Sequence, residues 1–261
     1  LLGKADDEKK YTALADSIKK AFRSKLYDES THTVKGNCQT ATGVMIYHGL
    51  CEKEEYAPLI ARLKEQIAEQ NGHLVLGNKA VFNALGMCGE VRTALKLIKN
   101  PTFPSYKHWI DMGANTLWEC WNGLGSRNHH MFSDVSAFFY KYIGGISADD
   151  DMPAYEHIIL RPAVGCGIEK VHCSVETPYG KAISDFENDG KTLRLSLTVP
   201  SGSHATLFLP MYLDDAFAGA AHTPFAEKLT ASGNAVRFTP CDMPEIKADL
   251  PSGKYTFTAK I

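Results

Sequence analysis

The first 150 residues place apolar side chains at helical spacing. In residues 6–28 these side chains recur every three or four positions, so that one face of a helix would collect them. The positions are Tyr11, Leu14, Ile18, Phe22 and Leu26. The same pattern predicts further helices over residues 37–50, 57–72, 79–90, 91–100 and 131–145. The connections between them are short, which favours antiparallel helical hairpins, either as half of a toroid of helix pairs or as a small bundle on their own.

From about Tyr155 onward the apolar period changes to two residues. In residues 191–200 the alternating apolar side chains are Leu193, Leu195, Leu197 and Val199. "HATLFLP" and "KYTFTAKI" repeat this alternation, with Gly, Pro, Asn and Asp between the segments. We therefore predict a second domain of seven or eight antiparallel strands, packed as a β-sandwich. The predicted domains span residues 1–150 and 154–261, and the acidic stretch "SADDDMPAY" between them is typical of a mobile linker.

The composition argues against several classes of protein, among them nucleic-acid-binding, membrane-spanning and disulfide-rich proteins. The net charge of −2, without any basic run, argues against a nucleic-acid partner. No apolar run approaches the roughly 18 residues that span a bilayer, so we expect no membrane partner. The seven cysteines fit neither a zinc signature nor a small disulfide framework, and we expect most of them to be buried. The chain opens "LLGKADDEKK", directly in a helical pattern and without Met, which indicates a start inside a longer protein.

Chemically useful side chains are concentrated around Glu119. All three tryptophans of the chain, Trp109, Trp118 and Trp121, lie close to it in sequence. A carboxylate beside apolar rings is unfavourable unless it is paired, bound or used. If residues 115–122 form a helical turn, Trp118 and Trp121 share one face. Indoles stack on sugar rings and carboxylates bind hydroxyls or move protons, which favours a sugar site; a structural core with a hydrogen-bonded glutamate is the alternative.

Two adjacent histidines follow the tryptophan-rich segment. His130 and Asp134 are four residues apart, so one helix face could present both to a metal ion. Two ligands do not close a metal site, and adjacent histidines such as His129 and His130 are common on protein surfaces. We therefore predict neither a metal ion nor any other cofactor.

Several segments together match the pattern of a known family. In chain order they are "GNCQTATGVMIYHGL", "NGHLVLGNKAVFNAL", "WIDMGANTLWECW", "SRNHHMFSDVSAFFYKYIGGI", "HIILRP" and "VETPYGKAISDF". The chain resembles, over essentially its whole length, the C-terminal part of bacterial α-L-rhamnosidases. The resemblance implies part of an (α/α)6 toroid of helical hairpins, followed by an antiparallel β-sandwich. It leaves the compartment open between bacterial cytoplasm and periplasm.

The resemblance also implies a reaction and assigns residues to it. The reaction is hydrolysis of terminal α-L-rhamnosides with inversion, on a rhamnose-containing glycoside or polysaccharide. Glu119 matches the general base in the family's T-x-W-E motif. His129, directly after Asn128, matches a histidine that contacts the sugar. Trp109, in the family's W-I-x-x-G-A stretch, is expected to line the same pocket, with Trp118 beside the base.

The chain departs from the family's pattern in three respects. Cys120 stands where the family often has Arg, which puts the local ion pairing in doubt, and the short segment between Glu119 and His129 implies a different pocket rim. The acidic stretch that carries the family's general acid does not occur upstream of Glu119. We therefore predict that this chain alone is inactive and that exposed toroid faces favour oligomers. A non-catalytic carbohydrate-binding fragment or a structural fragment remains the alternative.

Overall fold

The structure is a computed structural model that describes residues 2–70, 77–210, 229–232, 236, 239–240 and 245–260. The chain divides into two compact units, Leu1–Ser136 and Ala137–Ile261. The first unit is mainly helical and the second consists mainly of strands. The domain boundaries at residues 150 and 154 remain a prediction, since compactness alone does not define domains that fold independently.

The described helices lie where the apolar spacing predicts them, except at Tyr106–Asp111, where no helix is predicted. They are α1 (Ala5–Leu26), α2 (Gln39–Tyr47), α3 (Tyr56–Gln70), α4 (Asn78–Met87), α5 (Val91–Lys99), α6 (Tyr106–Asp111) and α7 (Asp134–Phe138). A wider π-helical segment, Phe139–Gly144, follows α7, and Gly145 ends it in a left-handed conformation with φ +72°. Short 3₁₀ turns occur at Lys53–Glu55 and His130–Phe132. Residues 71 and 72, the predicted end of the third helix, lie outside the described residues.

The helical core forms where α2 packs against α3 and α4. Met45 and Ile46 of α2 are fully buried, as is Val81 of α4. At Gly43 of α2, an added Cβ would lie 2.9 Å from Val81 Cγ2 and 3.1 Å from the Val81 backbone. A glycine therefore allows α2 and α4 to approach closely at this point.

Helix α1 is attached to the rest of its unit through polar side chains. Lys19 Nζ donates to Cys51 O at 3.0 Å, and the Arg23 guanidinium donates to both carboxylate oxygens of Glu55 at 2.6 and 3.0 Å. All of α1 is described, and none of its residues is buried. The apolar side chains that predict the helix are largely exposed: Tyr11 is 59%, Leu14 51% and Ile18 55% accessible.

The second unit contains two five-stranded sheets. The first unit has one short antiparallel pair, β1 (Tyr27–Asp28) and β2 (Thr33–Val34). The strands of the second unit are β3 (Ile146–Ala148), β4 (His157–Leu160), β5 (Lys170–Thr177), β6 (Gly180–Asn188), β7 (Thr192–Val199), β8 (His204–Pro210), β9 (Leu229–Ser232), β10 (Thr239–Pro240), β11 (Glu245–Leu250) and β12 (Gly253–Lys260). The sheet orders are β10-β11-β8-β4-β3 and β5-β6-β7-β12-β9. The alternating apolar residues of β7 are all buried, as the period of two predicts.

The second unit differs from the prediction in three details. It contains ten described strands, whereas seven or eight are predicted. Strands β4 and β8 pair in parallel, whereas the other described pairings in both sheets are antiparallel. The linker prediction is wrong for its first residues, because Ser147 and Ala148 lie in β3 and pair with β4. Asp149 then lies next to His157, with Oδ2 and Nδ1 2.7 Å apart. Because an acidic stretch is not typical of a strand, its composition did not indicate that Ser147 and Ala148 pair in the sheet.

None of the described helices combines the length and apolar character needed to cross a bilayer. Six cysteines are described: Cys51, Cys166 and Cys173 are buried, and Cys38, Cys88 and Cys120 are half-buried. The expectation that most cysteines are buried is thus met by half of those described. Cys241 lies outside the described residues.

Candidate active site

Residues 113–129, which we call the Glu119 loop, fold back on themselves between α6 and the turn that precedes α7. The Glu119 N–H donates to Ser126 O, and the His129 N–H donates to Leu117 O, both at 2.8 Å. These two bonds pair the arms of the loop, so that their backbone groups are satisfied across the loop rather than along a helix. The loop thereby fixes where both Glu119 and His129 leave the backbone.

Two glycines make the return of the loop possible. Gly123 and Gly125 have φ values of +76° and +80°, in the left-handed region that favours glycine. A Cβ at Gly125 would lie 2.6 Å from Glu119 Oε2, and a Cβ at Gly123 would lie 2.8 Å from the Trp118 ring. The backbone therefore passes directly against the candidate base and its neighbouring indole, and a side chain at either glycine would have to displace one of these two groups.

The Glu119 carboxylate is half-buried and oriented by the loop backbone. The Ser126 N–H donates to Glu119 Oε2 at 2.8 Å, while the Glu119 N–H donates to Ser126 O. This reciprocal pair restrains both the backbone and the side chain of Glu119. A carboxylate that is held in one orientation and is partly accessible is suited to accepting a proton from a positioned molecule.

The three indoles form the core beneath the loop. Trp109, Trp118 and Trp121 are only 2%, 4% and 7% exposed. Trp109 Nε1–H donates to Trp121 O at 2.9 Å, and the two rings lie 4.3 Å apart between centroids. The helical turn considered for residues 115–122 is wrong, because this segment is irregular. Trp118 and Trp121 each pack against Trp109, with ring centroids 5.9 and 4.3 Å from it, so that the folded loop and not helical spacing brings both into the core.

Tyr106 connects the indoles to the rest of the helical unit. Its hydroxyl donates to Phe132 O and accepts from Asn78 Nδ2, both at 2.8 Å. Its ring meets the Trp109 and Trp121 rings edge to face, at centroid distances of 5.8 and 5.4 Å. Burial raises the pKa of the Tyr106 hydroxyl well above its usual range, so this group remains a neutral hydrogen-bond donor.

The far arm of the loop carries the other candidate sugar contacts. The Arg127 guanidinium lies 4.9 Å from the centre of the Trp118 ring, a cation–π arrangement that covers this indole from outside. Asn128 is exposed and its N–H donates to Ser126 Oγ at 3.2 Å. His129 is half-buried, and its ring stacks on that of His130 with centroids 5.7 Å apart. Asn128 and His129 thus extend from the same loop as Glu119.

The residues considered for a metal ion have other partners. Asp134 Oδ2 accepts a hydrogen bond from Asn83 Nδ2 at 2.7 Å, and His130 stacks on His129. Over the part of the chain that the structure describes, no three His, Cys, Asp or Glu side chains are grouped so that they could hold a metal ion. Asp111, at the end of α6, forms an exposed ion pair with Lys107.

Sequence reasoning missed four residues that build this site. Gly125 and Ser126 hold the Glu119 carboxylate, Tyr106 supports the indoles and Arg127 covers Trp118. The "NGLGS" stretch was a visible signal for a tight turn. Tyr106 stands three residues before Trp109, a spacing that places both on one helix face. Nothing in the sequence indicated the contact of Arg127, because it depends on how the loop returns.

Family models match both parts of the chain. The bacterial alpha-L-rhamnosidase 6 hairpin glycosidase domain matches residues 1–143, and the bacterial alpha-L-rhamnosidase C-terminal domain matches residues 145–218. An alpha-L-rhamnosidase of Formosa agariphila is 28% identical over 224 residues, which are 80% of this chain but only 24% of that protein. This chain therefore spans about a quarter of the length of that curated relative.

Solved structures show the same fold. The α-L-rhamnosidase from Dictyoglumus thermophilum superposes with a TM-score of 0.82 at 26% identity, over 100% of this chain and 30% of that one. The Streptomyces avermitilis α-L-rhamnosidase complexed with L-rhamnose also gives 0.82, at 23% identity, over 96% of this chain and 24% of that one. The predicted architecture, part of a six-hairpin toroid followed by antiparallel sheets, is confirmed. Since one family model covers more than half of its residues and a second covers part of the sheet unit, the chain belongs to the bacterial α-L-rhamnosidase family.

Proposed function

We propose that this chain contributes the general base, Glu119, to a glycoside hydrolase that removes terminal α-L-rhamnose with inversion. The substrate would be a rhamnose-containing glycoside or polysaccharide. Membership of the family and the relatives named alpha-L-rhamnosidase support this substrate class. The single observation that carries the proposal is the half-buried Glu119, whose carboxylate is oriented by the Ser126 N–H.

The chemistry requires two carboxyl groups on opposite sides of the glycosidic bond, roughly 6.5–9.5 Å apart. One protonates the leaving oxygen, and the other takes a proton from the water that attacks the opposite face of the sugar. In this proposal the Ser126 N–H holds Oε2 of Glu119, and Oε1 accepts the proton from that water. The fixed rotamer keeps the accepting oxygen aligned with the water, which reduces the entropy lost in the transition state.

Four further residues are proposed to bind the sugar or shape its pocket. Asn128 and His129 follow the turn of the Glu119 loop, and their side chains would bind ring hydroxyls. Trp109 and Trp118 would form the floor of the pocket. Because both indoles are almost fully buried, we propose that they support the loop from beneath and offer the apolar methyl corner of rhamnose only a small surface.

The role of Glu119 is tested by Glu119→Gln in the full-length protein. The amide keeps the shape of the side chain but cannot take a proton, so we expect kcat to fall by about 10²–10⁴-fold with little change in substrate affinity. Glu65→Gln is the matched control, since Glu65 is an exposed carboxylate paired with Arg62. Steady-state kinetics on an aryl α-L-rhamnoside measure both. Near-normal kcat for Glu119→Gln would remove it from the role of base.

We further propose that the 261 residues alone do not hydrolyse α-L-rhamnosides, because the general acid lies elsewhere in the protein. Without an acid the leaving group departs unprotonated, and the loss is largest for poor leaving groups. An alkyl rhamnoside should therefore show no turnover by this chain, and an activated aryl rhamnoside at most slow turnover. Turnover of the alkyl substrate at the rate of the full-length protein would mean that this chain holds its own acid. Asp111 would then be the first residue to substitute.

The alternative is a non-catalytic carbohydrate-binding or structural fragment. A binding fragment would use the Glu119 loop to hold a sugar and would need no acid. Saturable binding of L-rhamnose by a full-length protein that turns over neither rhamnoside would favour that alternative. Absence of both binding and turnover would favour a structural role.

A further inference from the structure

A cleft of about 630 Å³ opens in the second unit. Its walls come from the π-helical segment Phe139–Gly144, from β3, from the turn after β3 and from β5. The lining side chains that carry its chemistry are Tyr140, Lys141, Asp150, Tyr155, Ser174 and Glu176. The cleft volume lies within the 300–1,000 Å³ typical of small-molecule sites. It is built entirely from the unit in which the sequence showed no cluster of functional residues.

The lining is polar but carries no dominant charge. Lys141 contributes a positive charge, Asp150 and Glu176 contribute negative charges, and Lys181 Nζ neutralises Glu176 at 2.8 Å. A site for an anion or a cation would concentrate one sign of charge, which this cleft does not do. Its hydroxyl, carboxylate and ammonium groups suit a neutral ligand with several hydroxyls of its own.

Two tyrosines add flat apolar surface to this polar lining. Tyr140 is 51% exposed and Tyr155 is half-buried, so each ring is partly supported by protein and partly open. An aromatic ring of this kind binds an amphipathic partner through its face and leaves the hydroxyl free to hydrogen-bond. A pyranose has such character, since its C–H faces are apolar and its rim carries hydroxyls.

The turn that carries Tyr155 is held in a strained conformation. Ala154 and Tyr155 have φ values of +60° and +66°, which are unfavourable for residues with a side chain. The buried Ser203 donates to Tyr155 O at 2.9 Å, and the Asp149 carboxylate lies 2.7 Å from His157 Nδ1. These contacts at both ends of the turn maintain the strain and preorganise Tyr155.

Further hydrogen bonds connect the turn that carries Tyr155 to the sheet. His157 Nε2 lies 2.9 Å from Thr206 Oγ1, and the Thr206 hydroxyl donates to Asp249 Oδ1 at 2.9 Å. The chain of contacts from Asp149 to Asp249 ties the turn to β4, β8 and β11, which are neighbours in one sheet. A binding wall mounted on a rigid sheet in this way loses little entropy when a ligand is bound.

We propose that this cleft binds a neutral pyranose, with the sugar ring against Tyr140 and Tyr155 and its hydroxyls on Asp150, Ser174 and Glu176. The site lies in a different unit from the Glu119 loop and does not depend on the proposed rhamnoside hydrolysis. Its open form predicts weak binding, with Kd on the order of 1 mM. Such a site would retain sugar chains near the protein without chemistry.

The test is a titration of the ¹⁵N-labelled 261-residue chain with L-rhamnose and, separately, with methyl β-D-glucopyranoside, followed by amide chemical shifts. We expect saturable shifts at Ala148, Ser174 and Val175, which line the cleft. Tyr140→Ala and Tyr155→Ala should each weaken binding roughly three- to tenfold. Tyr179→Ala is the matched control, because Tyr179 is an exposed tyrosine of the same unit that does not line the cleft.

Tyr140→Ala should leave the fold more stable than Tyr155→Ala does, because the exposed Tyr140 ring contributes little to folding. Absence of saturable shifts in the cleft would overturn the proposal, as would wild-type binding by both Tyr140→Ala and Tyr155→Ala. Shifts confined to Ser126 and His129 would place the sugar in the Glu119 loop instead. The same titration of the full-length protein should reproduce the cleft shifts; their loss there would show that another part of the protein fills the cleft.

Discussion

At the scale of single residues, the position of the Glu119 carboxylate depends on the glycine that lies against it. Gly125 has φ +80°, and a Cβ there would lie 2.6 Å from Glu119 Oε2. Gly125→Ala should therefore push the carboxylate out of its position. A displacement of about 1 Å in a positioned group can lower the rate about 10²-fold, so we expect a loss of kcat of that order in the full-length protein.

A matched control separates this effect from backbone strain. Gly113 has φ +84°, and nothing lies within 4 Å of an added Cβ there. Gly113→Ala carries the same left-handed penalty of about 1–2 kcal/mol without a contact to Glu119. Kinetics and thermal melts of both variants should show similar losses of stability and very different losses of kcat. Equal kcat values for the two variants would contradict the positioning role of Gly125.

At the scale of elements, α1 is held by the ion pair between Arg23 and Glu55. The Arg23 guanidinium holds the pKa of the Glu55 carboxyl down, from 4.5 to about 2. A carboxyl with a lowered folded pKa stabilises the fold above its unfolded pKa, and this contribution is lost as the pH falls through the folded value. Glu55 should therefore contribute about 1–3 kcal/mol near neutral pH, and this contribution should disappear between roughly pH 4.5 and pH 2.

Arg23→Gln tests this window. Urea unfolding of the chain should show the variant clearly less stable than wild type at pH 7, with the difference shrinking toward pH 2. Lys170→Gln is the control, because it breaks an exposed pair with Glu187, and such pairs contribute roughly 0–1 kcal/mol. A difference between wild type and Arg23→Gln that does not change with pH would contradict the assignment.

At the scale of the whole molecule, α1 exposes most of the apolar side chains whose spacing predicts the helix. Tyr11, Leu14 and Ile18 are each more than half exposed, and contiguous apolar patches favour association. We propose that the 261-residue chain forms oligomers through such faces, and size-exclusion chromatography over a concentration series should show larger species. Leu14→Lys with Ile18→Lys should restore the monomer, whereas Leu124→Lys, at an isolated exposed leucine, should not. A monomeric wild type at high concentration would contradict this proposal.

The agreement between sequence and structure is best where a pattern is local. The spacing of apolar residues predicts α2 and β7 because a helix and a strand each impose their own period on the residues that face the core. It predicts α1 as well, although the apolar side chains of that helix are exposed in the described structure. The match of "GANTLWE" and "RNHHMF" to the family's pattern indicates Glu119 and His129 as candidate site residues, and their roles stay predictions. The prediction for residues 115–122 is wrong because backbone bonds to the far arm replaced helical ones, and those partners are several residues away.

By itself, then, the sequence determined the two types of element, their order, the family and the candidate base, because each of these depends on residues close together in the chain. Tertiary structure alone decided that the indoles lie beneath the loop, and that Ser126 and Gly125 hold the Glu119 carboxylate. It also decided that α1 turns its polar side to its neighbours and that a cleft forms in the second unit. The reason is that burial and contact depend on residues distant in sequence, which a periodic pattern does not record.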